Sequence, residues 1–248
     1  MSGSDNETGP GSHACFVTTH WSVVLAAGGG QSPQADAALE KLCRTYWYPL
    51  YAYVRGRGYA PADAEDLTQD FFSQLLRKNY PARADRNRGR FRTFLLHALT
   101  QFLADQRERA NTLKRGGGRV FISLDEEPPE GRYRLEVPDE LTPEKLFERR
   151  WAQTVLRRAL DRLRAEFAAK GKEKEYEVLK SFEPGEQGAL SYAEAAVRLG
   201  VSESAVKSMI HRLRRRHGEL VREEIAHTVP TVAEIDEELR YLVAVVRG

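Results

Sequence analysis

Apolar residues recur along this chain at helical rather than strand spacing. The clearest stretch is "GRFRTFLLHALTQFLADQRERANTLKR". There Phe91, Phe94, Leu95, Ala98, Leu99, Phe102 and Leu103 fall at i, i+3, i+4, i+7, i+8, i+11 and i+12, and a glycine run at 116–118 ends the stripe. Upstream, "TTHWSVVLAAGGG" predicts a short helix between a threonine cap and a glycine stop. A longer helix after Pro33 carries Ala38, Leu39, Leu42, Tyr46, Leu50 and Tyr53 along a face. Pro61 opens a third, whose inward residues are Leu67, Phe71 and Leu75 with Phe72 and Leu76 beside them. Downstream, Thr142-Pro143 starts a helix with Leu146, Leu156, Leu160, Leu163 and Phe167 on one side. A charged helix near 172–182, a helix pair at 191–224 and a last segment at 231–246 follow. In that last segment Val232, Ile235, Leu239, Leu242, Val243 and Val246 oppose Glu234, Asp236, Glu237 and Glu238, so it is expected to fold back onto a neighbouring helical unit.

The periodicity fails over 119–142, which holds Pro128, Pro129, Pro138 and a brief "RVFISL" that reads as a strand or as extended chain. The expected fold class is therefore all-α, two helical domains joined by an acidic linker. A disordered N-terminus (1–14) precedes a helical domain (15–115), the linker (116–142), a second helical domain with a helix-turn-helix (143–225) and a C-terminal helical extension (226–248).

Net charge, +2 over 248 residues, changes this picture little, but its distribution does. Residues 77–119 carry twelve Lys or Arg against three acids, and residues 120–148 carry nine acids against Arg132, Arg134 and Lys145. Such segregation points to a polyanionic partner. The only cysteines, Cys15 and Cys43, make neither a disulfide framework nor a zinc site, and the six histidines are scattered. The opening residues have no basic stretch followed by an apolar one, and no apolar run nears membrane-spanning length, so a cytoplasmic protein without membrane contact is expected. An enzyme reading lacks a nucleophile set, a glycine phosphate loop and a metal set, and no cofactor is expected. The acids Asp63, Glu65, Asp66 and Asp70 raise a carboxylate metal site as a rival, but no histidine or distal acid completes it.

The helix pair carries the chemistry. In "LSYAEAAVRLGVSESAVKSMIHRLRRR", Ser191 and Glu194 form a capping box, and Tyr192, Ala195, Ala196 and Leu199 an inner face. Gly200 supplies the turn, and Ser202 caps a second helix that buries Val206, Met209, Ile210 and Leu213. Two short helices about a glycine turn make a helix-turn-helix. The other face of the second helix holds Glu203, Ser204, Lys207, Ser208, His211, Arg212 and Arg215. Short polar groups lie near its start for base edges, and cations lie further on for phosphates. Between Ala205 and Gly218 there are five cations and no acid to form the i,i+4 pairs of a solvated face.

These residues resemble the promoter-reading domain of bacterial RNA polymerase sigma factors, specifically the extracytoplasmic-function (ECF) subfamily of the sigma-70 family. The resemblance rests on Ser191-Tyr192-Ala193-Glu194, Gly200, Ser202, Val206-Lys207-Ser208 and His211-Arg212, and departs at Ala195, where the family favours Ile. Upstream, "AEDLTQDFFSQLL" is similar to that family's core-polymerase-binding helix. This implies docking of Asp63, Glu65, Asp66, Gln69 and Asp70 on the coiled coil of the β′ clamp. The aromatic helix resembles the −10-element helix, with Phe94-Leu95 and Asp105 in matching places and Gln101 where the family has Asn. The implied −10 residues are Arg88, Arg90, Arg92, Gln101, Asp105, Arg107, Arg109, Lys114 and Arg115. The implied −35 recognition residues are Ser204, Lys207, Ser208, His211, Arg212 and Arg215. Melting also needs a surface for unstacked bases, but Phe91, Phe94 and Phe102 are expected in the core. The resemblance implies a transcription initiation factor whose partners are core RNA polymerase and promoter DNA, and leaves open an anti-sigma or other regulatory protein. The alternative is a helix-turn-helix regulator that does not engage polymerase.

Overall fold

A computed structural model describes residues 33–77, 90–112, 130–131, 133, 141–183, 190–229 and 231–247. Among the described residues there are eight α-helices, two short 3-10 turns and no strand, so the fold is all-α. The helix expected around Trp21, the segment "RVFISL", Arg88, Lys114 and Arg115 lie outside them.

Helix α1 (Pro33–Gly56) leads through a short turn to α2 (Pro61–Arg77), and α3 (Phe91–Thr112) follows. The long α4 (Pro143–Ala169) starts as its sequence requires: Thr142 Oγ1 accepts from the Lys145 N–H, and Pro143 occupies the first turn. Then come α5 (Glu173–Leu179), a 3-10 turn (Lys180–Phe182), α6 (Tyr192–Leu199) and α7 (Glu203–Ala226). A last 3-10 turn (Val232–Glu234) precedes α8 (Ile235–Arg247).

The most extensive helix–helix contact is that of α1 along α4. It buries Tyr46, Trp47, Tyr48, Leu50, Tyr51, Ala52, Tyr53 and Val54, so α1 is covered on every side rather than along one stripe. From α4, Phe147, Trp151, Ala152, Val155, Ala159 and Leu163 are buried. This face is turned from the expected one, and Leu156, Leu160 and Phe167 lie at its partly exposed edge. Tyr46 meets Phe91 edge-on at 5.1 Å and Phe147 stacked at 6.5 Å, which brings the start of α3 to the same point. The α3 stripe is buried as its periodicity predicts, with Phe91 and Phe102 in the core and Phe94 partly covered. Phe102 packs on Phe71 of α2 at 5.7 Å. Inward residues of α2 are Ala64, Thr68, Phe71, Phe72 and Leu75, whereas Leu67 sits at the margin. Residues before and after the acidic segment thus share one apolar cluster. From that segment Glu130 is held on α1: Arg55 reaches it at 2.9 and 3.0 Å, and the Tyr51 hydroxyl donates to it at 2.8 Å.

Charges stitch α4 to α7. Arg216 donates to both Glu166 oxygens (2.7 and 3.0 Å), and Arg158 and Arg162 donate to Glu224 (3.1 and 2.8 Å). The hydrogen bond from Arg216 holds the Glu166 carboxyl below its ordinary pKa. Burial works against the Glu224 carboxylate, yet the hydrogen bonds from Arg162 and Arg158 outweigh it and lower that pKa too.

The tail helix folds back as expected, onto α4 and α7. Its inner line differs from the expected one. Ile235, Glu238 and Leu242 are buried, while Val243 and Val246 on the expected apolar side are about half exposed. Glu238, expected on the outer face, is wholly buried because Arg90, just before α3, and Arg92 of α3 neutralise it there.

Two outcomes check this account. Trp151→Ala should cost about 3–5 kcal/mol in chemical denaturation, as for other fully buried aromatic truncations; Val197→Ala, at 83% exposure, should leave the midpoint unchanged. Glu166 and Glu224 have lowered folded-state pKa values. Their contribution to stability is therefore complete above the ordinary glutamate value of 4.5 and is lost as pH falls through the lowered values. The denaturation midpoint should drop over that acid window, and Glu224→Gln should shrink the drop.

Candidate nucleic-acid interface

The two-helix unit is built from local signals. Ser191 caps α6 through a reciprocal pair: its backbone N–H donates to Glu194 Oε2 at 2.8 Å, and the Glu194 N–H donates to Ser191 Oγ at 3.2 Å. The bonds from Ser191 also hold the Glu194 carboxyl below its usual range. Gly200 closes α6 at φ 67°, where any other residue would be strained. Ser202 Oγ then accepts from the Ala205 N–H to start α7. Ala195, Ala196, Val206, Ile210 and Leu213 are buried between the helices, with Leu199 and Met209 packed at the edge. Tyr192 departs from the expected inner face. It is 43% exposed, stacked on Phe182 at 5.3 Å, and offers its ring to the Lys207 ammonium at 5.2 Å.

On α7 the outward face is the one the sequence marks. Glu203, Ser204, Lys207, Ser208, His211, Arg212 and Arg215 are all exposed on one helix whose opposite side is buried. Ser208 Oγ donates to the Ser204 carbonyl at 3.1 Å, so its lone pairs remain for another donor. The cations divide into two sets. Arg216 is taken by Glu166, Glu219 and Glu223, Arg215 lies 3.1 Å from Glu219, and Arg214 donates to the Phe182 carbonyl. Acids beyond Gly218 thus supply the pairing that the stretch itself lacks, which corrects the expectation that all five cations are unopposed. Lys207 and Arg212 keep their positive charge outward, neither making an ion pair among the described residues. The aromatic pair Phe182–Tyr192 beside them is what sequence reasoning missed; its signal was an aromatic at the first position of a helix in an otherwise polar turn.

The second basic region divides in the same way. Gln101, Asp105, Arg107 and Arg109 are exposed along α3. Arg107 leans on Tyr59, donating to its hydroxyl at 2.9 Å. Arg90 and Arg92, at the start of that helix, point inward instead. Arg92 is 6% exposed and ion-paired to Glu148 and Glu238, and Arg90 pairs with Glu237 and Glu238. Both were expected to face DNA. On α2, Asp63 and Asp66 are exposed, and Glu65, Gln69 and Asp70 are half-buried along one edge. Partial burial raises the Glu65 pKa, with the Asp66 charge adding to it. Among the described residues these acids do not gather into a cluster that could hold a metal ion. None of the described helices is long and apolar enough to cross a membrane.

No curated protein and no solved structure matches this chain. A family model does match over residues 187–216, and its description is Sigma-70, region 4. The match takes in α6, the Gly200 turn and the part of α7 that carries Ser204, Lys207, Ser208, His211, Arg212 and Arg215. The segment that presents this exposed polar and cationic face is therefore similar to region 4 of sigma-70 factors, a likeness that supports a DNA-binding role in transcription initiation.

Proposed function

We propose that this protein is an alternative sigma factor of the ECF type, which binds core RNA polymerase and directs it to specific promoters. The observation that carries the proposal is the region 4 match falling on a helix that exposes Ser204, Lys207, Ser208, His211, Arg212 and Arg215 along one face. In this reading Ser204, Ser208 and His211 meet base edges of a −35 element, and Lys207, Arg212 and Arg215 meet phosphates. Gln101, Asp105, Arg107 and Arg109 on α3 contact the −10 region, together with Arg88, Lys114 and Arg115. The edge of α2 formed by Asp63, Glu65, Asp66, Gln69 and Asp70 docks on the β′ clamp coiled coil, where an acidic helix edge complements arginines. The site of action is then the cytoplasm, and no cofactor or catalytic step is involved.

Three measurements test the proposal. Purified core polymerase should retain the protein in a pull-down. Asp66→Arg with Gln69→Ala should abolish retention while the melting curve stays that of the wild type. A wild-type chain that binds DNA but never core polymerase would instead be a helix-turn-helix regulator. On duplex DNA, Lys207→Ala and Arg212→Ala should each reduce the slope of log affinity against log salt by about 0.9, one counterion-releasing phosphate contact apiece. Unchanged slopes in both would move the DNA surface elsewhere.

A further inference from the structure

The inward turn of Arg90 and Arg92 has a structural partner that the sigma-factor reading does not use. Glu238 of α8 is completely buried, and its carboxylate lies between these two guanidinium groups. Arg90 Nε is 2.8 Å from one oxygen, and Arg92 Nε is 2.7 Å from the other. Arg90 also reaches Glu237 at 2.6 Å, and Arg92 reaches Glu148 at 2.6 Å. The Arg92 guanidinium lies over Tyr241 of α8 at 4.1 Å and over Trp151 at 5.2 Å. The Phe91 N–H at the head of α3 donates to the Thr228 carbonyl just past α7, so the arginines are presented to the tail at a fixed point.

We propose that α8 is a detachable clasp that competes with the phosphate backbone of single-stranded nucleic acid for Arg90 and Arg92. The inference rests on the promoter-binding reading and deepens it by naming how the α3 site is regulated. Three features support the exchange. First, a carboxylate held by two guanidinium groups at these distances occupies the place that a phosphate's oxygens would take, so replacing one oxyanion by the other leaves the arginines paired. Second, α8 is short, buries only Ile235, Glu238 and Leu242 fully, and packs on α4 and α7 with Tyr241 against Trp151, a far smaller contact than that of α1 along α4. Third, a helix needed only for packing is better served by an apolar residue at the one fully buried position that carries charge. A buried ion pair is often no more stabilising than a hydrophobic replacement. The acid is explained if its arginines have a second anionic partner.

The test uses the full-length chain and a fluorescent single-stranded oligonucleotide. Glu238→Gln keeps the shape but removes the charge, leaving Arg90 and Arg92 under-compensated when clasped. It should bind the oligonucleotide about tenfold more tightly at the wild-type salt slope, because both proteins end with the same phosphate contacts and differ only in what it costs to open the clasp. In the wild-type protein, hydrogen exchange should show the amides of 235–247 losing protection when saturating oligonucleotide is added. This second readout decides the matter even if the variant fails to fold. Wild-type affinity in a folded Glu238→Gln, no binding by either protein, or a tail that stays protected in the saturated complex each overturn the clasp. Arg212→Ala on duplex DNA separates the two levels. If it reduces the salt slope while the tail stays protected, the clasp alone is wrong; if it changes nothing, the recognition face itself is misplaced.

Discussion

The packing of α1 along α4 is the constraint on which the rest depends. Eight consecutive core residues from Tyr46 to Val54, Pro49 aside, cover the whole circumference of α1, so this helix has no solvent side over that span. Such a helix is stable only if other elements surround it, and α2, α3 and α4 do so. Because α4 is long, its far half is free to carry α7, and α7 carries the exposed polar and cationic face. The exposed side of α7 is therefore backed by Val206, Ile210 and Leu213, which belong to the same buried cluster as Leu163, Ala159, Tyr46 and Trp151.

The same architecture sorts the charges. Arginines facing α4, such as Arg216, are matched by acids on that helix and lose their reach to a partner. Cations on the opposite side of α7 remain outward, and that asymmetry gives the two-helix unit a directional surface rather than a uniformly basic one. At the head of α3 the division is contested, since the acids that satisfy Arg90 and Arg92 come from the terminal helix and from Glu148. Burial, with the Glu238 charge adding to it, raises the Glu148 pKa and outweighs the opposing Arg92 charge.

Local signals in the sequence settled much of this. The capping box at Ser191, the left-handed Gly200, the cap at Ser202 and the Thr142-Pro143 start depend on residues within one turn of each other, and all four form as read. The α3 stripe was equally legible, because seven apolar residues at helical spacing leave one way to face a core. The outward face of α7 followed from the same periodicity.

What the sequence alone did not determine was who meets whom. It marked Glu238 as surface and Arg92 as free, because a lone acid or base is ordinarily cheaper in water. Only the fold brings them together across 146 positions, where each removes the cost of burying the other. The turned face of α4 has the same origin. Trp151, Val155 and Ala159 compete with Leu156 and Leu160 for the inside, and the shape of α1 decides between them. Helices, caps and the outward face of α7 are fixed by neighbours in sequence, which are always present. Ion-pair partners and buried faces are fixed by neighbours in space, which exist only once the tertiary structure has formed.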